Sequence, residues 1–153
     1  MLKHVLVPLD GSEVAQRAID YAKAVVAPDG GKITLITAVD VPEFTAVAYY
    51  PAVVSYESAP QLIDEQLLPQ AREYLRKQAD DLTEAGYNVH VEVVVDDAAN
   101  AIVEQAGVFE VDAIVMSTHG RSGITRWLFG SVANKVLGSA TCPVLIVPVR
   151  SSQ

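Results

Sequence analysis

AIVMSTHGRSGITRWLFGSV, residues Ala113 to Val132, decides how the chain is read. It opens as an apolar run, Ala113 to Met116, directly after Asp112. It passes into a polar loop punctuated by glycine, Ser117 to Phe129. It closes at Gly130-Ser131, where a helical spacing of apolar residues begins with Val132, Val136 and Leu137. In an α/β protein, a buried strand, a glycine loop and a helix start in succession form a place where phosphates bind. Glycine lets backbone N–H groups approach an anion, and the first helical turn adds donors at the positive end of its dipole. The same loop carries His119, Arg121 and Arg126, and Lys135 follows on the helix.

Charge is distributed to match. The net charge is -8, yet all 19 acids lie in residues 1–112, and residues 113–153 hold Arg121, Arg126, Lys135 and Arg150. The overall acidity argues against nonspecific nucleic-acid binding, which needs Lys and Arg to displace counterions. The local excess of base favours a small anionic ligand.

Working outward, the chain alternates. His4 to Leu9 (HVLVPL) reads as a buried strand that ends at Asp10-Gly11-Ser12, with Ser12 as the N-cap of a helix through Val14, Ala18, Ile19, Ala22, Val25 and Val26. The helix stops near Pro28-Asp29-Gly30-Gly31, and Lys32 to Val39 (KITLITAV) is a second strand. Asp40 to Pro60, with Pro42, Pro51, Tyr49, Tyr50 and Tyr56, is long for an unstructured connection; it is either a functional flap or partly helical. An amphipathic helix follows from Gln61 to Ala85, with a kink or restart expected at Pro69 and a stop at Gly86. Asn88 to Val95 is strand three, Asp96 or Asp97 caps the next helix, and Asp112 to Met116 is strand four. Gly130 to Ala140 is the fourth principal helix and Cys142 to Val149 (CPVLIVPV) the fifth strand. This alternation predicts an α/β fold, a doubly wound five-stranded parallel sheet with helices on both faces, in a single domain. Such sheets bind ligands beyond the carboxyl ends of their strands at the switch point. Pro8 to Ser12, Ala38 to Asp40 and Ser117 to Ser131 therefore converge.

The totals agree. A chain of 153 residues, half hydrophobic and 20% charged, suits one domain with both sheet faces covered. The lone cysteine, Cys142, permits no internal disulfide and reads as an inert buried thiol. MLKHVLVPLDGS lacks the long apolar region of a signal peptide. The uncharged stretch Phe44 to Tyr56 is shorter than the roughly 18 apolar residues of a membrane span. A cytoplasmic protein without membrane insertion is expected. No histidine pair has metal-ligand spacing.

VLVPLDGS (Val5 to Ser12), Val39-Asp40, MSTHGRSGITRWLFGSVANKVL (Met116 to Leu137) and CPVLIVP (Cys142 to Pro148) together resemble the universal stress protein family, within the adenine-nucleotide α-hydrolase-like superfamily. The resemblance covers residues 1–150 as one domain and leaves 151–153 as a tail. It implies strand order 3-2-1-4-5 and a homodimer formed through the last strand, Cys142 to Val149. It also implies an adenine nucleotide (ATP first, or ADP or AMP) with magnesium as a companion ion. Residues Pro8, Leu9, Asp10 and Ser12 would meet it after strand one, Asp10 at the ribose or through the magnesium. Ala38 and Val39 would hold the adenine edge with backbone groups. Met116, Ser117, His119, Gly120 and Arg121 would contribute from strand four and its loop, and Gly130, Ser131 and Val132 from the helix start. The plainer reading of Asp10, Gly130 and Ser131 is helix capping.

The family's nucleotide-binding branch has Gly, two residues, Gly, nine residues, Gly, then Ser or Thr. Here Gly120 and Gly130-Ser131 fit, but Ser117 stands at the first glycine. If that position needs a positive φ, serine costs roughly 1–2 kcal/mol. Asp96 stands where related sequences commonly carry glycine near the phosphates, and a carboxylate there would repel polyphosphate unless a metal bridges them. The chain has no G-x-x-x-x-G-K-[ST], no G-x-G-x-x-G and no G-x-S-x-G. A binding protein with at most weak ATPase activity is expected. Two alternatives stay open: a family member without nucleotide that works as a module for an unknown protein partner, and a slow ATP-hydrolysing or adenylate-forming enzyme.

Overall fold

The computed structural model describes residues 1–40, 59–118 and 129–148. Their order is β1 (His4–Pro8), α1 (Glu13–Val25), β2 (Lys32–Val39), α2 (Ala59–Leu62), a π turn (Ile63–Leu67), α3 (Leu68–Glu84), β3 (Asn88–Val95), α4 (Ala98–Val108), β4 (Ala113–Ser117), α5 (Ser131–Ser139) and β5 (Val144–Val147). The strands form one sheet in the order β3-β2-β1-β4-β5, with every pairing parallel. This is the expected doubly wound sheet in the expected order.

β1 lies at the centre, and Val5, Leu6 and Val7 are all fully buried. A strand covered on both faces reads as a continuous apolar run for this reason. Alternation along each strand divides the core. Val5, Val7, Ile33, Leu35 and Val115 pack on one face against Ala15, Ala18 and Ala22 of α1 and Leu75 and Leu82 of α3. Leu6, Ile36, Ile114 and Met116 pack on the other against Ala101 and Ile102 of α4 and Ala133 and Val136 of α5. Helices thus cover both faces.

Pro69 marks the restart expected of it, and boundaries differ from expectation at Asp112 and at β5. Pro69 falls in the first turn of α3, directly after the π turn Ile63–Leu67, where the regular i→i−4 ladder is already interrupted. Asp112 precedes β4 rather than opening it. Its carboxylate accepts the backbone N–H of Lys3 (2.7 Å) and His4 (2.9 Å), tying the start of β4 to β1. β5 is shorter than residues 142–149, because Pro143 and Pro148 flank it and neither can donate to a ladder. Cys142 lies ahead of the strand and is half-buried rather than buried; partial burial pushes its thiol pKa up. Most of the Asp40 to Pro60 segment, residues 41–58, lies outside the described residues.

Candidate functional site

The loop after β1 is fixed by its own atoms. Gly11 has φ +86°, a conformation costly for a side chain, which makes the tight Asp10-Gly11-Ser12 turn. Ser12 donates to Asp10 Oδ1 twice, from its backbone N–H (2.9 Å) and its hydroxyl (2.5 Å). The same hydroxyl accepts the Ala15 N–H at 3.1 Å and so caps α1. Just before the turn, Leu9 N–H donates to Ile36 O (2.8 Å) and the Thr37 hydroxyl to Leu9 O (2.9 Å), which fastens the end of β1 to β2.

The other wall comes from β4 and α5. Ser117, 9% exposed, ends β4 opposite Val147. Thr118 N–H donates to Val147 O (3.1 Å), and Gly130 N–H to Thr118 O (2.7 Å), so the start of α5 is stitched to the end of β4. Gly130 is the N-cap of α5 and supplies no side-chain cap. A helix leaves its first N–H groups without intrahelical acceptors, and the dipole is positive there. α4 is different: Asp97 caps it by accepting Asn100 N–H at 3.0 Å, and Lys135 of α5 lies 3.7 Å from that carboxylate.

Between these walls, at the carboxyl ends of the strands, is a cleft of about 290 Å³. This is close to the lower end of ligand pockets, roughly 300–1,000 Å³. Pro8, Leu9, Asp10, Ala38, Met116, Ser117, Gly130, Ser131 and Val132 line it together, as the strand-end rule requires. Ser12 and Val39 do not. Ser12 acts through Asp10, and Val39 pairs with Val95 at the end of β2. His119, Gly120 and Arg121, with Arg126, Trp127 and Leu128, lie outside the described residues. Ala15, Ile36, Ala98, Ile102, Thr118 and Ala133 also line the cleft, and the sequence reading did not single them out. One signal for Ala98 and Ile102 was present: they stand one turn apart on a helix that begins directly after a strand's carboxyl end.

Two departures from the family motif can be placed. Ser117 is in regular strand, and the only described non-glycine residue with positive φ is Glu110, so serine at this position carries no backbone strain. Asp96 is not among the described residues lining the cleft; its carboxylate accepts the N–H of Asp97 at 2.7 Å.

The lining has two characters. Ile36, Ala38, Ala98, Ile102 and Met116 are apolar, and alanines leave room. Ser117, Thr118 and Ser131 bring hydroxyls, next to the start of α5, where Gly130 makes no side-chain cap bond. Asp10 is the only ionisable residue among the described lining. Such a cleft can hold a ligand with one flat, apolar part and one anionic part. Among the described residues no group of three or more His, Cys, Asp or Glu could hold a metal alone, and no helix is long and apolar enough to cross a membrane.

Known proteins show the same architecture. The family model described as the universal stress protein family matches residues 1–148. Universal stress protein MJ0531 of Methanocaldococcus jannaschii is 37% identical over 147 residues, covering 96% of this chain and 82% of the relative. The solved structure of MJ0577, a universal stress protein of the same organism, superposes with a TM-score of 0.83 at 27% identity, covering 98% of each chain. The structure of a universal stress protein in complex with cAMP superposes at 0.69 with 27% identity, covering 95% of this chain and 97% of that one. The chain belongs to the universal stress protein family.

Proposed function

We propose that this stress protein binds an adenine nucleotide, ATP foremost, in the cleft at the carboxyl ends of β1, β2 and β4, and works as a dimeric regulatory binding protein in the cytoplasm. The carrying observation is the cleft itself, in which apolar walls meet the N-terminus of α5, whose N-cap Gly130 makes no side-chain cap bond. The adenine lies against Ala38, Ile36 and Ile102, with backbone groups near Val39 at its edge. The phosphates take N–H groups at Ser131 and Val132 and the hydroxyls of Ser117 and Ser131. His119, Gly120 and Arg121 complete the phosphate side. Asp10 meets the ribose, or supplies one carboxylate to a magnesium ion held mainly by phosphates. A related protein of 27% identity, crystallised with cAMP, supports the base class.

The functional unit is residues 1–150, with 151–153 as a tail. The dimer forms through residues 142–149; β5 is an edge strand paired on one side with β4, and Leu145 on it is exposed. The described lining offers one carboxylate and no paired nucleophile and base, which favours binding with at most slow hydrolysis.

Thermal unfolding with ATP, ADP, AMP and cAMP, each with and without magnesium, tests this reading. A nucleotide at about 100 times its Kd adds roughly 2.7 kcal/mol. The rise should vanish in a folded Gly130→Asp variant, whose carboxylate enters the anion end. Absence of a rise with every nucleotide would sink the proposal and leave the protein-interaction role.

A further inference from the structure

The two edges of the sheet are built differently. β5 is four residues long and lies between Pro143 and Pro148. β3, Asn88–Val95 (NVHVEVVV), is eight residues long and pairs in unbroken register with β2, so it carries no bulge. Native sheets guard an exposed edge with proline, lysine, an unpaired inward charge, a bulge or a short strand. β3 has no proline or lysine, and its one charged acid, Glu92, is paired with His90. Among the described residues no strand pairs with its outer side. Val91 and Val95 on it are 37% and 50% exposed. We propose that β3 pairs antiparallel with β3 of a second copy across a two-fold axis at Val91, continuing the sheet from one subunit into the next. The inference stands apart from the nucleotide reading.

Charge fixes the register. A two-fold axis normal to the sheet keeps matching faces together. Side chains alternate along a strand, and residues directly opposite one another share a face, so the axis passes beside a single residue. With the axis at Val91, His90 of each copy lies opposite Glu92 of the other. One residue further on, Glu92 is set against its own copy. One residue back, Glu92 is set against Asn88 and both pairs are lost. Opposite charges directly across an antiparallel pair stabilise it, and like charges destabilise it. An imidazole N–H donates to a carboxylate whether or not the ring is charged.

The side chains are already placed for this pairing. Phe109, the C-cap of α4, stands edge-on to the His90 ring with centroids 5.2 Å apart, and holds it on the α4 face of the sheet. His4 lies 6.3 Å from the same Phe109 ring and Lys32 Nζ 5.7 Å. His90 Nε2 is 3.3 Å from Glu92 Oε2 of its own strand, and neither side chain is buried. Across the axis each imidazole then stands between two carboxylates, and each carboxylate between two imidazoles. On the other face Val91 meets its own copy, and Val89 meets Val93 of the second subunit. Val89 and Val93 are only partly buried where they pack on the core beside α3, so the pairing covers a row of valines that one subunit leaves half open. Such an interface is isologous and closes on itself. It uses no residue of the cleft lining.

The test cross-links whole chains in which Cys142→Ser leaves no other thiol. A residue on the axis has its own copy about 4.5–5.5 Å away between Cα atoms, within the reach of a disulfide. Under oxidised glutathione, Val91→Cys should form a covalent dimer about tenfold faster than Val93→Cys, whose own copy lies out of reach. It should outpace Val108→Cys on the exposed end of α4 equally. Adding Glu92→Lys should slow the reaction about fivefold, and exchanging the pair by His90→Glu with Glu92→His should restore it. Val93→Cys or Val108→Cys as fast as Val91→Cys, no effect of Glu92→Lys, or an exchanged pair as slow as Glu92→Lys overturns the proposal. Should the cysteine variants not fold, sedimentation equilibrium of the unaltered chain and of Glu92→Lys decides. Weaker self-association of Glu92→Lys supports the pairing, and equal association of the two, or none in either, overturns it.

Discussion

Replacing Ser12 with alanine removes one oxygen that performs two tasks. The hydroxyl caps α1 by accepting Ala15 N–H at 3.1 Å, and it donates to Asp10 Oδ1 at 2.5 Å. Loss of an N-cap costs about 1 kcal/mol. A hydrogen bond to a charged group contributes roughly 1.5–3 kcal/mol, and part exposure of this one reduces it to about 1. The sum is about 2 kcal/mol, a large part of the 5–15 kcal/mol that holds a domain together. For a chain of this size it lowers Tm by about 4–8 °C. Urea unfolding at fixed protein concentration reads the loss. Ser12→Thr keeps the oxygen and should stay within about 0.5 kcal/mol of wild type. A double-mutant cycle with Asp10→Ala should return a coupling of about 1 kcal/mol. The reasoning fails if Ser12→Ala is indistinguishable from wild type, or if Ser12→Thr costs as much.

Leu75 of α3 is fully buried against the central strands, so Leu75→Ala should cost about 2–5 kcal/mol in the same urea assay. Glu110→Gly should raise stability by about 0.5–1 kcal/mol, since glycine removes the left-handed strain at the price of a freer unfolded chain. The N–H groups of His4 and Lys3 hold the Asp112 carboxyl below its ordinary 3.8, so its stabilisation is complete above that pH and lost as pH falls through its lowered pKa. Acid unfolding followed by circular dichroism should therefore be shallower on its acid limb in Asp112→Asn.

Alternation made the sheet legible. VLV at residues 5–7 and AIVM at 113–116 read as buried strands because both faces of a central parallel strand are covered, and glycine and acid caps marked the turns. Strand order came from the family resemblance, since periodicity does not say which neighbour a strand takes. Lining residues at strand ends were legible through the switch-point rule; Ala98 at the start of α4 and Ile102 one turn on carried only the weaker signal of a helix that begins directly after a strand's carboxyl end, which does not say what they face until α4 is placed against β2. Local pattern could not tell whether the glycine replaced by Ser117 served backbone conformation or close approach. The strand dihedral leaves close approach. The cluster around Phe109 was invisible for a different reason. His4, Lys32, His90 and Phe109 are far apart in the chain, and only parallel register brings them together.

The most direct measurement is an amide correlation spectrum of the chain titrated with ATP and magnesium. The account predicts that the largest shifts fall on Asp10, Ala38, Ser131, Val132 and Ala133, and that they saturate together. Shifts that fall instead in the groove between α1 and α3, around Arg17 and Gln78, or no shifts at all, would contradict it.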